Sequence, residues 1–168
     1  MASIQAPFPS IQKQANSLKD SSQVDFRNPT VFHHDIASVT TLLKHFLRDL
    51  PDPLLTSANY TSFLTAAKID DDIVRRDSLH AIINDLPDSN YATLRQLTLH
   101  LHKVAEHSAQ NRMTESNLAI VFGPTLMGQV SGKGGLARMA EDVRDASWQA
   151  KVVETIILNT YQIFDDDD

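Results

Sequence analysis

The sequence predicts an all-α fold on three observations. Apolar residues recur at spacings of three and four through successive stretches of the chain, the mark of helices with one buried face. Prolines and glycines stand where those stretches end. No segment sustains the alternation of a strand, and no repeat with a period of about 20 to 50 residues is visible.

The first helix is expected over residues 35–50, where Ile36, Val39, Leu42, Leu43, Phe46, Leu47 and Leu50 share a stripe. Asp35 is placed to cap it. Pro51 and Pro53 stop it, because proline lacks the amide hydrogen and restricts the residue before it. A short helix follows over 59–67. A third spans 71–86 and turns Ile73, Val74, Leu79, Ile82, Ile83 and Leu86 inward before Pro87. Residues 89–109 predict a long core helix on Leu94, Leu97, Leu101 and Val104, widened by Leu99 and Ala105, after which Gln110 and Asn111 turn the chain. Thr114 caps a short helix holding Leu118, Ala119, Val121 and Phe122, with its end near Gly123 and Pro124. The glycine-rich residues 128–135 read as a surface loop. A short helix over 136–143 and a better one over 147–164 complete the set. The latter is capped by Ser147 and turns Trp148, Val152, Ile156 and Ile157 inward. The acidic tail, 165–168, is expected to fray.

At 168 residues the chain has the length of one ordinary domain, and its 42% hydrophobic and 21% charged residues are those of a globular protein. With no cysteine, disulfides and thiolate metal sites are excluded, and a cytoplasmic location is the natural expectation. No secretory leader or membrane-spanning stretch is apparent. A net charge of -6 argues against nucleic acid and for a protein partner.

Several tempting motifs carry no chemistry. SGKGG lacks the spacing, the hydroxyl residue and the preceding strand of a phosphate loop. His33, His34 and Asp35 have no third ligand within reach, and His100 and His102 point apart on a helix. His102 and Glu106 share a face, but two ligands make a weak metal site. The histidines therefore read as solvated, with no metal or cofactor expected. No arrangement for nucleophilic catalysis is present.

Three ordered motifs point to a family. SVTTLLKHFLRDLPDPLLT, residues 38–56, presents Lys44 and Arg48 one turn apart on the side of the helix away from the apolar stripe, closed by Leu-Pro-Asp-Pro-Leu. LPDSNYATLRQLTLHLHKVAEHS, residues 86–108, and NRMTESNLAIVFGPTL, residues 111–126, come after it. Together they resemble the RhoGAP domain over roughly residues 10–164, and VDFRNPTVFHHD is similar to a linker of fungal members. Departures are small: Arg112 where Lys is common, Thr125 where Asn is common.

The resemblance implies a helical bundle of the RhoGAP type that regulates a Rho-family small GTPase in its GTP-Mg state and is not itself the enzyme. It implies GTPase-binding roles for Lys44, Arg48 and Asn117, loop-shaping by Pro53 and Pro124, and a monomer. Trp148 is expected in the core. The family's Gly-Ile-x-Arg-x-Ser-Gly element, whose arginine enters the GTPase, has no counterpart here, since Arg27 in DFRNP matches the linker and SIQKQANSLKD matches the stretch just after the finger. The expected organisation is a leader at 1–9, a RhoGAP-like domain truncated at its amino terminus over 10–164, and the tail. The missing part would leave apolar surface uncovered and stimulation of hydrolysis weak, because such an arginine is worth about 10³ to 10⁵ in rate. A noncatalytic scaffold that has lost GTPase recognition is the alternative.

Overall fold

A computed structural model describes residues 36–128 and 135–164. Every regular element among the described residues is a helix: α1 Ile36–Arg48, α2 Tyr60–Ala67, α3 Asp72–Asn84, α4 Asp88–Glu106, α5 Ser108–Asn111, α6 Glu115–Met127, α7 Gly135–Leu158 and α8 Thr160–Phe164. The chain divides into two compact units, residues 1–45 and 46–168. The described part of the first is residues 36–45 of α1. The expected leader, segment 10–20, Arg27 and its linker, His33, His34, the Asp35 cap, the glycine-rich residues 129–134 and the acidic tail lie outside the described residues.

The core of the second unit gathers Phe63, Leu79, Ile83, Leu94, Leu126, Ile156 and Ile157 from α2, α3, α4, α6 and α7, all at most 1% exposed. Burying each such side chain contributes roughly 2 kcal/mol. Helices α6 and α7 form the most extensive pairing, and α7 also packs on α2, α3 and α4. Gly123 makes the α6–α7 approach possible, because a Cβ there would stand 3.0 Å from backbone atoms of Gln149 and Ala150.

Several elements differ from the sequence expectation, each for a physical reason. Helix α6 does not end at Pro124 but continues to Met127. Proline removes one intrahelical hydrogen bond at a cost of about 3 kcal/mol, and the burial of Phe122, Leu126 and Met127 outweighs it. Gln110 and Asn111 are helical, and the reversal falls on Arg112, whose φ is 60°. The two expected carboxyl-terminal helices are one: α7 runs unbroken through Ser147 because neither glycine nor proline interrupts 136–158, and Asn159 separates it from α8. Trp148 is 37% exposed and not core, with the Lys68 ammonium 5.9 Å from its ring centroid.

In α3, Ile73 and Val74 are exposed, whereas Arg75 is 5% exposed. Asp71 caps this helix by accepting from the amides of Ile73 and Val74, and the inward positions fall on Arg75, Leu79 and Ile83 at spacings of four. In α1, Leu47 is buried, whereas Leu42, Leu43 and Phe46, expected on the same stripe, are exposed. His102 is packed rather than solvated: its Nδ1 lies 3.0 Å from the carbonyl oxygen of Ile157, and its ring stands edge-on to Tyr161.

Candidate docking site

The last turn of α1 runs into Leu50-Pro51-Asp52-Pro53-Leu54, whose prolines forbid a continued helix. The loop is therefore held by other bonds. The Thr56 amide donates to the Pro53 carbonyl at 2.8 Å, and Asp52 Oδ1 accepts from the amide and hydroxyl of Ser57. Two longer-range bonds pin it: the Leu55 amide donates to the Leu126 carbonyl at 2.9 Å, and Asn90 Nδ2 donates to the Leu54 carbonyl at 2.9 Å. Gly128, with φ 78°, lies so close to Pro53 that a Cβ there would stand 2.5 Å from the ring. Thr56 takes the left-handed conformation at φ 59°, and its buried hydroxyl has no hydrogen-bond partner among the described residues. Both features cost energy, and the burial of Leu54 and Leu55 beside them offsets it.

This stitching sets Arg48 against the carboxyl-terminal half of α6. Its Nε donates to the Thr125 hydroxyl at 3.3 Å while the side chain remains exposed. Arg48 borders a concavity of about 360 Å³ shared with Leu47, Leu50, Pro51, Pro53, Ser57, Pro124, Thr125 and Gly128. Pro53 and Pro124, expected to shape the loops, both line it.

At the other end of α6, the Thr114 hydroxyl accepts from the Asn117 amide at 3.2 Å, as a cap should. The Asn117 side chain is exposed, and its Nδ2 donates to the Arg112 carbonyl at 2.9 Å, bracing the left-handed turn. That leaves the Oδ1 acceptor and one amide hydrogen for an outside group. Asn117, Ile120 and Pro124 succeed one another at spacings of three and four, so they lie along one face of α6 over about 10 Å. Pro124 borders the Arg48 concavity, and Ile120, 62% exposed, lies between. The second unit thus carries a carboxamide and an exposed apolar side chain on α6, and a guanidinium from the end of α1 bonded to Thr125 of α6.

Of the three expected contact residues, Arg48 is bonded to Thr125 near the carboxyl-terminal end of α6 and Asn117 stands in its first turn, about 12 Å away along the helix axis. Lys44 is half-buried on α1 within the first unit. Ile120 and Thr125 had no assigned role from sequence. The spacing from Asn117 could have identified Ile120, whereas nothing local points from Thr125 to Arg48. No group of three or more histidines or carboxylates among the described residues could hold a metal ion. No described helix is long and apolar enough to cross a membrane. The groups the site offers are directed donors, an acceptor and an apolar contact.

A family model described as RhoGAP domain matches residues 8–131. The chain is 34% identical over 163 residues to the Probable Rho-GTPase-activating protein 7 of Schizosaccharomyces pombe, covering 95% of this chain and 22% of that protein. It is 40% identical over 152 residues to the Rho GTPase-activating protein 21 of Xenopus tropicalis, covering 90% of this chain and 7% of that one. Among solved structures, the BH domain from Graf, the GTPase regulator associated with focal adhesion kinase, superposes with a TM-score of 0.75 at 32% identity, covering 92% of this chain and 78% of that one. Human Rho GTPase activating protein 15 superposes with a TM-score of 0.78 at 28% identity, covering 96% and 72%.

Proposed function

The chain belongs to the RhoGAP family, and from that premise we propose that it docks on a Rho-family small GTPase in its GTP-Mg state through Arg48, Asn117 and Lys44. The observation that supports this reading is that α6 bears both groups, Thr125 in its carboxyl-terminal half accepting from Arg48 and Asn117 standing exposed in its first turn. Arginine's planar fork suits carboxylates and backbone carbonyls, and a carboxamide supplies both donor and acceptor to backbone groups. Ile120 adds an apolar contact between them. One copy of the chain supplies both Arg48 and Asn117, so a monomer suffices, and a cysteine-free composition suits the cytoplasm.

Stimulation of hydrolysis by these 168 residues is weak in this reading. None of their arginines stands in a Gly-x-x-Arg-x-Ser-Gly setting, and a guanidinium fixed beside the transferred phosphoryl group is worth about 10³ to 10⁵ in rate. Docking and ordering of the GTPase's own groups remain. Titration calorimetry with GTPases held in the GTP-analogue state tests the reading. Arg48→Ala is expected to weaken binding about ten- to a hundredfold, the range for losing charge-assisted hydrogen bonds at an interface, and Asn117→Ala and Lys44→Ala less. Unchanged affinity in all three variants sinks the site. Acceleration of hydrolysis by a thousandfold or more sinks the weak-stimulation claim.

A further inference from the structure

We propose that Thr125 is a positioning residue for Arg48, its hydroxyl holding the guanidinium plane in the orientation that a docked GTPase receives. The inference rests on the docking reading above, and its own support is geometric. Thr125 is 1% exposed, yet its hydroxyl is shared by two groups: it donates to the Val121 carbonyl at 3.2 Å and accepts from Arg48 Nε at 3.3 Å. A threonine within a helix favours few rotamers, and the bond to the carbonyl four residues earlier selects one of them. The hydroxyl hydrogen is then committed to Val121, which leaves its lone pairs for the arginine.

The point of attachment matters. Nε lies in the plane of the guanidinium, so a bond at Nε fixes that plane without using either terminal nitrogen as its donor. An arginine without such a bond would lose its rotamer freedom only on docking, at a cost in affinity. The remainder of the support keeps the acceptor still: Leu126, the next residue, accepts from the Leu55 amide, and Gly128 lies against Pro53. Arg48 and Thr125 are 77 positions apart, and this packing makes them one unit.

The test uses the 168-residue chain with a Rho-family GTPase held in the GTP-analogue state and compares Thr125→Val, Thr125→Ser, Arg48→Ala and the Arg48→Ala/Thr125→Val double variant. Valine keeps the shape and removes the acceptor, whereas serine keeps the hydroxyl. Expected results are a three- to tenfold loss of affinity for Thr125→Val, recovery in Thr125→Ser, and no further loss when valine is added to Arg48→Ala. If Arg48→Ala weakens binding and Thr125→Val does not, the positioning role is overturned while docking stands. If valine costs as much in the Arg48→Ala background, Thr125 acts through packing and the proposal is equally overturned. If Arg48→Ala changes nothing, there is no docking contribution of Arg48 for Thr125 to position and the proposal is overturned, while docking itself is judged by the Asn117→Ala and Lys44→Ala variants as well. Should the valine variant not fold, solvent exchange of the Arg48 Nε hydrogen in the unsubstituted chain decides: slowed exchange supports the bond, and exchange as fast as in a free arginine overturns it.

Discussion

Arg75 and Arg48 put the same side chain to opposite uses. Arg75 is 5% exposed and donates through Nε to the Thr155 hydroxyl and through Nη1 to the carbonyl of Ile69, with an ion pair to Asp72. Its aliphatic stem fills space while its head satisfies acceptors that the packing has buried. Arg48 makes its bond from one nitrogen at the rim of a concavity. Thermal unfolding separates the two. Arg75→Ala is expected to cost about 2–4 kcal/mol, because it leaves a cavity and unpaired buried acceptors, whereas Arg48→Ala stays within about 0.5–1 kcal/mol. Equal losses would contradict this division. Sequence reading placed Leu79 and Ile83 of α3 inward, as they are, but misplaced Ile73 and Val74 in its first turn, where Arg75 is buried instead; the partner that holds Arg75 inside, Thr155, lies 80 positions away. The proposal of Arg48 and Asn117 comes from motifs that are local in sequence. The Arg48–Thr125 bond was not legible there, since no spacing rule connects residues on separate helices.

Helix α6 is the element on which the site depends, and only its beginning was legible. Thr114 caps it as the sequence implies, because a cap is a bond between residues three apart. Its end was not, because Pro124 is a local stop signal that tertiary burial of the following turn overrides. The true stop is Gly128, which combines a positive φ with contact against Pro53. Gly128→Ala should therefore destabilise the chain by about 2 kcal/mol or more, from left-handed strain of roughly 1 kcal/mol together with overpacking. It should also weaken GTPase binding by shifting the loop that comes after Arg48. Denaturant unfolding measures the first effect. An alanine variant as stable as the parent would show that Gly128 and Pro53 are not in contact. Continuity of α7 was missed for the complementary reason: a serine resembles a cap, and nothing nearby shows that helix already surrounds it.

For the molecule as a whole, fold class followed from the helical period, the proline and glycine stops and the lack of strand alternation, none of which depends on topology. Which helices meet did not follow from them; the tight α6–α7 approach turns on Gly123, whose significance depends on the backbone of Gln149 and Ala150. In the docking reading, these helices together serve to present Asn117 of α6, and Arg48 bonded to Thr125, to a GTPase. Nuclear magnetic resonance titration of the labelled chain with a Rho-family GTPase in its GTP-analogue state tests this most directly. The Arg48 Nε–H and Asn117 side-chain amide signals should shift together along one binding curve, while the buried Arg75 Nε–H stays in place. Movement of the Arg75 signal with Arg48 and Asn117 unmoved would contradict the account.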